Sequence, residues 1–217
     1  MMRPAPAVSA ALLVLLCSCT RDAPLPANSA QDSLLVLREN TLYRAEREEY
    51  FATSPHSPFR TDTGMMPVVL RWYPVNPHYR VRSSLRRHAA ADTVTVLGTR
   101  GETRRQVRYG YFRFTLPDEQ GRPRDLTLNV YLPAVHGAAG LPLGVWFTDR
   151  TTGSETYHVG RYVDVGELEP DLHHLYTIDF NMAYNPYCAY NDRYSCAVPR
   201  EEDHLDIHIR AGERYHP

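Results

Sequence analysis

The sequence predicts a mainly β fold: an antiparallel β-barrel or sandwich of about nine short strands with one N-terminal α-helix. Three observations predict it. Apolar and polar residues alternate over short runs beyond residue 68. Gly, Pro and Asp/Asn turn residues separate those runs. Tyr outnumbers Phe, 15 to 6, and a ring that carries a hydroxyl suits half-buried strands and polar pockets.

The helix comes first, over residues 29–52. Ser29-Ala30-Gln31-Asp32 reads as a capping box ahead of a charged and apolar stretch. Leu34, Leu35, Leu42, Tyr43, Ala45 and Tyr50 form its expected apolar side, with Arg38, Arg44, Glu46, Arg47 and Glu48 on the remainder. Ser54-Pro55-His56-Ser57-Pro58 ends it. Strands are expected over residues 68–73 and 79–84, around the breaker Pro74-Val75-Asn76-Pro77. Residues 93–97 alternate, with Val94 and Val96 on one face. Residues 106–116 change phase beside Gly110, where a bulge fits. Residues 124–132 alternate cleanly, with Leu126, Leu128, Val130 and Leu132 together. Residues 143–147, 156–165, 175–180 and 205–209 complete the set.

The first residues read as an export signal. Arg3 supplies the positive charge, and residues 7–16 form an apolar run too short to span a bilayer. Leu16-Cys17-Ser18-Cys19 follows and resembles the bacterial lipobox, with Cys19 as the lipid acceptor. The expected division is a lipoprotein signal peptide over 1–18, a proline-bearing tether over 19–28, and a single domain over 29–217. The expected location is the cell envelope, on a membrane held through lipid on Cys19. An ordinary cleaved signal and a short N-terminal anchor are the alternatives. If Cys19 carries lipid, Cys188 and Cys196 remain as an even pair in an oxidising compartment, and a disulfide between them is expected, with two free thiols as the alternative.

Composition excludes several function classes. A net charge of −1 offers no attraction to nucleic acid or anionic lipid. All 24 basic residues are Arg, so no lysine Schiff base can form. No nucleophile elbow, phosphate-cradling glycine loop or zinc-type cysteine pair occurs, so no cofactor and no metal are expected. His204, Asp206 and His208 would share one face of a strand, but at roughly 7 Å per step they splay and read as a solvent-facing side.

The informative stretch is a polar block over 147–199. It contains FTDRTTGSETY (147–157), GRY (160–162), DFN (179–181), AYNPYCAY (183–190) and CAVP (196–199). These segments resemble the DUF1684 family, a bacterial and archaeal domain named for having no known function. The family pattern is approximately F-x-D-x-T-x-G-x-x-T-Y-x-x-G-R-Y, then DFN-x-A-Y-N-P-x-C-A-Y, then C-P-x-P-P-x-x-N. The closing Ala211-Gly212-Glu213 also fits. Ala197 replaces the first proline of the last segment, and Asp203 stands where the family has Asn, so that loop's role is open. The resemblance implies a domain assignment and supplies no reaction.

The chemistry is therefore read from residue types. Asp149, Arg150, Tyr157, Arg161, Asp179, Asn181, Tyr184 and Asn185 are the candidate ligand-binding residues. On one strand, Tyr157 and Arg161 project from the same face. If that strand neighbours 175–181, Arg161 meets Asp179 in a bidentate pair and offers an anchor for a carboxylate or phosphate. Three readings fit. The domain binds a small polar or anionic ligand around Arg161 and Asp179; it is a hydrolase-like enzyme with Asp149 or Asp179 as general base; or it is a structural envelope protein, the block merely locking strand ends. No sequence feature identifies a catalytic residue.

Overall fold

The computed structural model describes residues 30–134 and 142–215. The signal, Cys19, the tether and Ser29 of the capping box lie outside the described residues. Among the described residues one α-helix, α1 (Ala30–Thr53), precedes twelve strands. These are β1 (Arg60–Thr61), β2 (Gly64–Met65), β3 (Arg71–Trp72), β4 (Arg80–Ser84), β5 (Arg86–Leu97) and β6 (Thr103–Pro117). They continue as β7 (Pro123–Pro133), β8 (Trp146–Asp149), β9 (Arg161–Tyr162), β10 (Leu175–Asp179), β11 (His204–Leu205) and β12 (Glu213–Arg214). The chain is thus mainly β with one helix.

The long antiparallel meander β5–β6–β7 is the main sheet. Its register shifts between Arg108 and Gly110, where the alternation of β6 changes phase. Antiparallel pairs β4–β10, β3–β12 and β1–β2 stand apart from it. In the remaining sheet, β8 pairs antiparallel with β9 and parallel with β11. Among the described residues no set of strands closes into a barrel.

The alternation of β6 and β7 builds the core. Phe112, Phe114 and Leu116 of β6 and Leu126, Leu128, Val130 and Leu132 of β7 are buried together. Against them pack Phe147 of β8, Tyr176 and Ile178 of β10, Phe180, and Leu205, Ile207 and Ile209 near the C-terminus. Phe180 meets Phe114 and Phe147 at centroid distances of 5.6 and 5.3 Å. The opposite face of β7 is buried too. Tyr131 stacks on Trp146 at 4.6 Å over a second small cluster with Val94, Val96 and Ala197.

Two expectations are corrected here. Residues 156–165 do not form one strand; only Arg161–Tyr162 pairs. Gly160 takes φ = +120°, which breaks the extended run, and a Cβ there would sit 2.6 Å from the Phe147 carbonyl oxygen. Tyr157 and Arg161 therefore do not share a strand face. The second correction concerns α1, which is turned opposite to the expectation. Leu34, Leu35, Leu37 and Leu42 are exposed, at 67, 51, 49 and 53 %. The inward face is Val36, Asn40, Tyr43, Arg44, Arg47 and Phe51. The physical reason lies in what it packs on: carbonyls and carboxylates of the 179–185 segment, which need donors more than methyl groups.

Candidate functional site

Arg161 is the most deeply buried cation of the polar block, 1 % exposed. Its Nη1 donates to the carbonyl oxygens of Ala211 at 2.5 Å and Glu213 at 3.4 Å. Its Nη2 donates to the Ile209 carbonyl at 2.9 Å and to Asp149 Oδ1 at 3.4 Å. Phe147 lies under the guanidinium, 5.2 Å from its centroid. A buried cation needs a counter-charge and acceptors for its N–H groups. Asp149 supplies the first, and the carbonyls of the 209–213 segment supply the second for the two terminal nitrogens, while Nε is buried without a hydrogen-bond partner.

Asp149 is itself saturated with donors. Its carboxylate accepts from Thr151 Oγ1 at 2.9 Å, Thr152 Oγ1 at 3.1 Å and the Ile209 N–H at 2.7 Å. Gly212 makes this strap possible. It turns at φ = +78°, and a Cβ there would meet the carbonyl oxygens of Ala183 and Phe180 at 2.5 and 2.6 Å.

Asp179 belongs to a different network. The expected Arg161–Asp179 pair is not formed, because β9 pairs with β8 while β10 pairs with β4. Asp179 accepts from Asn40 Nδ2 at 3.0 Å and from the backbone and side-chain N–H groups of Asn181 at 3.0 and 2.9 Å. Arg80 approaches it at 3.9 Å. Asn181 in turn exchanges hydrogen bonds with the backbone of Asn76. This network clamps α1, the 76–80 turn and the end of β10 together.

A third centre surrounds Glu213. Its carboxylate accepts from the Asn185 backbone N–H at 3.0 Å and from the Tyr190 hydroxyl, with Arg47 Nε at 3.8 Å. Asn185 Nδ2 donates to the Arg214 carbonyl at 3.1 Å. Burial pushes the Glu213 carboxyl up to about 7, against the opposing pull of Arg47. Tyr184 faces outward from the same segment and donates to Asp164 at 2.9 Å. Burial raises its hydroxyl above the usual tyrosine range. Arg150 lies on the surface and donates to Asp206 at 2.8 Å.

Tyr157 reaches the cysteine pair. Its hydroxyl donates to the Cys188 carbonyl at 3.3 Å. Cys188 and Cys196 stand side by side as thiols, and the Cys188 N–H donates to Cys196 Sγ at 3.3 Å. His204 and His208 engage separate partners, Thr148 and Glu119. Among the described residues no group of His, Cys, Asp or Glu is arranged to hold a metal ion.

The candidate residues thus fall into four centres rather than one pocket. The 209–214 segment threads through two of them, Asn40, Arg47 and Glu213 join as unexpected members, and Asp203 forms a separate buried network. Asp203 accepts from Asn129 Nδ2 and the Tyr131 hydroxyl, both at 2.8 Å, and burial raises its carboxyl. A signal for Glu213 existed in the Ala211-Gly212-Glu213 match. None existed for Asn40, whose partner is 139 residues away.

The fold and these sealed networks define a small mainly β domain braced by buried charge. The chain belongs to the family described as "Protein of unknown function (DUF1684)", whose model matches residues 68–214. It is also similar to a solution structure of the uncharacterized protein from gene locus rrnAC0354 of Haloarcula marismortui. The two share 30% identity at a TM-score of 0.57, covering 86% of this chain and 98% of that one. No curated protein matches the chain.

Proposed function

We propose that this chain is a lipid-anchored envelope protein that lies close to its membrane, with the polar block an internal brace rather than a ligand pocket. The carrying observation is the outward leucine face at the start of α1. Leu34 and Leu37 join Val75, Pro77 and Ser33 around an open apolar depression of about 520 Å³. Exposed leucines in a row mark a contact surface. They follow the lipobox-like Leu16-Cys17-Ser18-Cys19 by a tether that can span at most about 35 Å. Acyl chains on Cys19 would hold that face near the bilayer, and the leucines would add an interfacial contact. Among the described residues no helix is long and apolar enough to cross a membrane.

The brace reading is supported by Arg161. A ligand anchor needs free N–H groups facing a cavity; here both terminal nitrogens donate to protein acceptors and the side chain is sealed. Asp149 and Asp179 are 2 and 4 % exposed and engaged by several donors, a poor setting for a general base. Fractionation of producing cells tests the anchor. Wild-type protein is expected in the membrane fraction, and Cys19→Ala in the soluble fraction. Wild type released with the variant would refute it.

A further inference from the structure

Cys188 and Cys196 are set up unequally, although they are side by side. Cys188 sits in the short turn Tyr187–Ala189, and Cys196 lies just ahead of the Gly98–Ala197 bridge. A separate loop holds the second cysteine from both sides. The Cys196 N–H donates to Thr99 Oγ1 at 3.1 Å, and the Thr99 N–H donates to the Cys196 carbonyl at 3.0 Å. The Cys188 N–H meets the Cys196 sulfur at 3.3 Å, and three side-chain donors face the Cys188 sulfur. The Tyr157 hydroxyl lies 3.9 Å from Cys188 Sγ, and the Cys196 thiol and Thr99 hydroxyl also face it. Both cysteines are half-buried rather than sealed, which leaves each a path to a dissolved reagent.

We propose that Cys188 and Cys196 form a reversible dithiol–disulfide pair that exchanges with disulfides of other molecules, Cys188 attacking and Cys196 resolving. The Cys196 thiol beside it, with the Thr99 and Tyr157 hydroxyls, pulls the Cys188 thiol below the usual cysteine range, and the same thiol contact pushes Cys196 up. A thiolate beside a thiol that holds its proton is the asymmetry exchange requires. In the first step the Cys188 thiolate bonds to one sulfur of a disulfide RSSR′. That S–S bond breaks, and R′S⁻ leaves and takes a proton from solvent. In the second step Cys196 gives its proton to solvent and its sulfur attacks Cys188. The mixed disulfide breaks, RS⁻ leaves, and the intramolecular bond closes. Two electrons pass from the protein dithiol to RSSR′, which becomes two thiols. The reverse runs through the same intermediate.

The test is redox equilibration of the full chain in mixtures of reduced and oxidised glutathione. Acid quench, alkylation and peptide mapping would separate this pair from Cys17 and Cys19. The expected result is joint conversion of the two sulfurs, with both forms populated as the glutathione ratio changes. A disulfide that persists in every mixture would show a structural bridge and overturn the proposal; so would thiols that never oxidise. The order of attack is tested in the single variants. Cys196→Ser is expected to trap glutathione on Cys188, whereas Cys188→Ser leaves Cys196 mostly free. Equal trapping would overturn the assigned order. In the unchanged chain, Cys188 should be alkylated at neutral pH at least ~10-fold faster than Cys196.

Discussion

Arg161 and Asp149 show how a charged pair becomes part of a core. Neither can reach water, so each is stabilised only by the other and by the dipoles around it. Removing one leaves an uncompensated buried charge. Arg161→Met is therefore expected to cost about 3–5 kcal/mol in chemical denaturation. A variant within about 0.5 kcal/mol of wild type would show that the guanidinium is not bracing the 209–213 segment. Glu213 carries a pH signature. Its folded carboxyl titrates near 7 against 4.5 when exposed, so the native state holds its proton more tightly than the unfolded state. Its contribution is fully present below 4.5 and is lost as pH rises through 7, with a slope of up to about 1.4 kcal/mol per pH unit. Urea midpoints across that window should fall with rising pH on this account, and Glu213→Gln should flatten the fall. An unchanged slope in the variant would place the titrating group elsewhere. The Arg161 and Asp149 types were visible in the polar block. Their pairing was not, because strand adjacency is a long-range fact: Arg161 faces the chain about fifty positions later.

At the scale of elements, legibility followed local pattern. The cleanly alternating runs over 106–116 and 124–132 became β6 and β7, and the phase change near Gly110 became the register shift. Those strands make hydrogen bonds with sequence neighbours, so local pattern suffices. Residues 156–165 and 205–209 also alternated, yet only Arg161–Tyr162 of the first and Leu205 of the second became strand. There the backbone is held by side chains such as Asp149 and Arg161 rather than by a ladder. Helix α1 was legible in extent and misread in orientation. Apolar periodicity finds a core-facing side only where the partner surface is apolar, and α1 packs on a polar one. This has a measurable consequence. Leu34→Ser and Leu37→Ser should each change stability by less than about 0.5 kcal/mol. Arg47→Ala should cost more, since it removes the cation beside Glu213 and exposes the ring stacking of Phe51 and Tyr184. Large losses from the leucine variants would mean the outward face is packed in the native protein.

For the whole molecule, the proposal sets an export signal and a tether ahead of a domain whose helix exposes leucines near its start. The fold class and family were legible because long motifs and strand spacing repeat in one chain. The single pocket expected around Arg161 and Asp179 does not form among the described residues, because the polar block separates into four networks in space. Mass spectrometry of the N-terminal peptide from the membrane fraction tests the proposed anchor at Cys19 most directly. The account predicts a mature chain that begins at Cys19 and carries acyl chains on it. A membrane-fraction chain with unmodified Cys19, or one that begins at another residue, would contradict it.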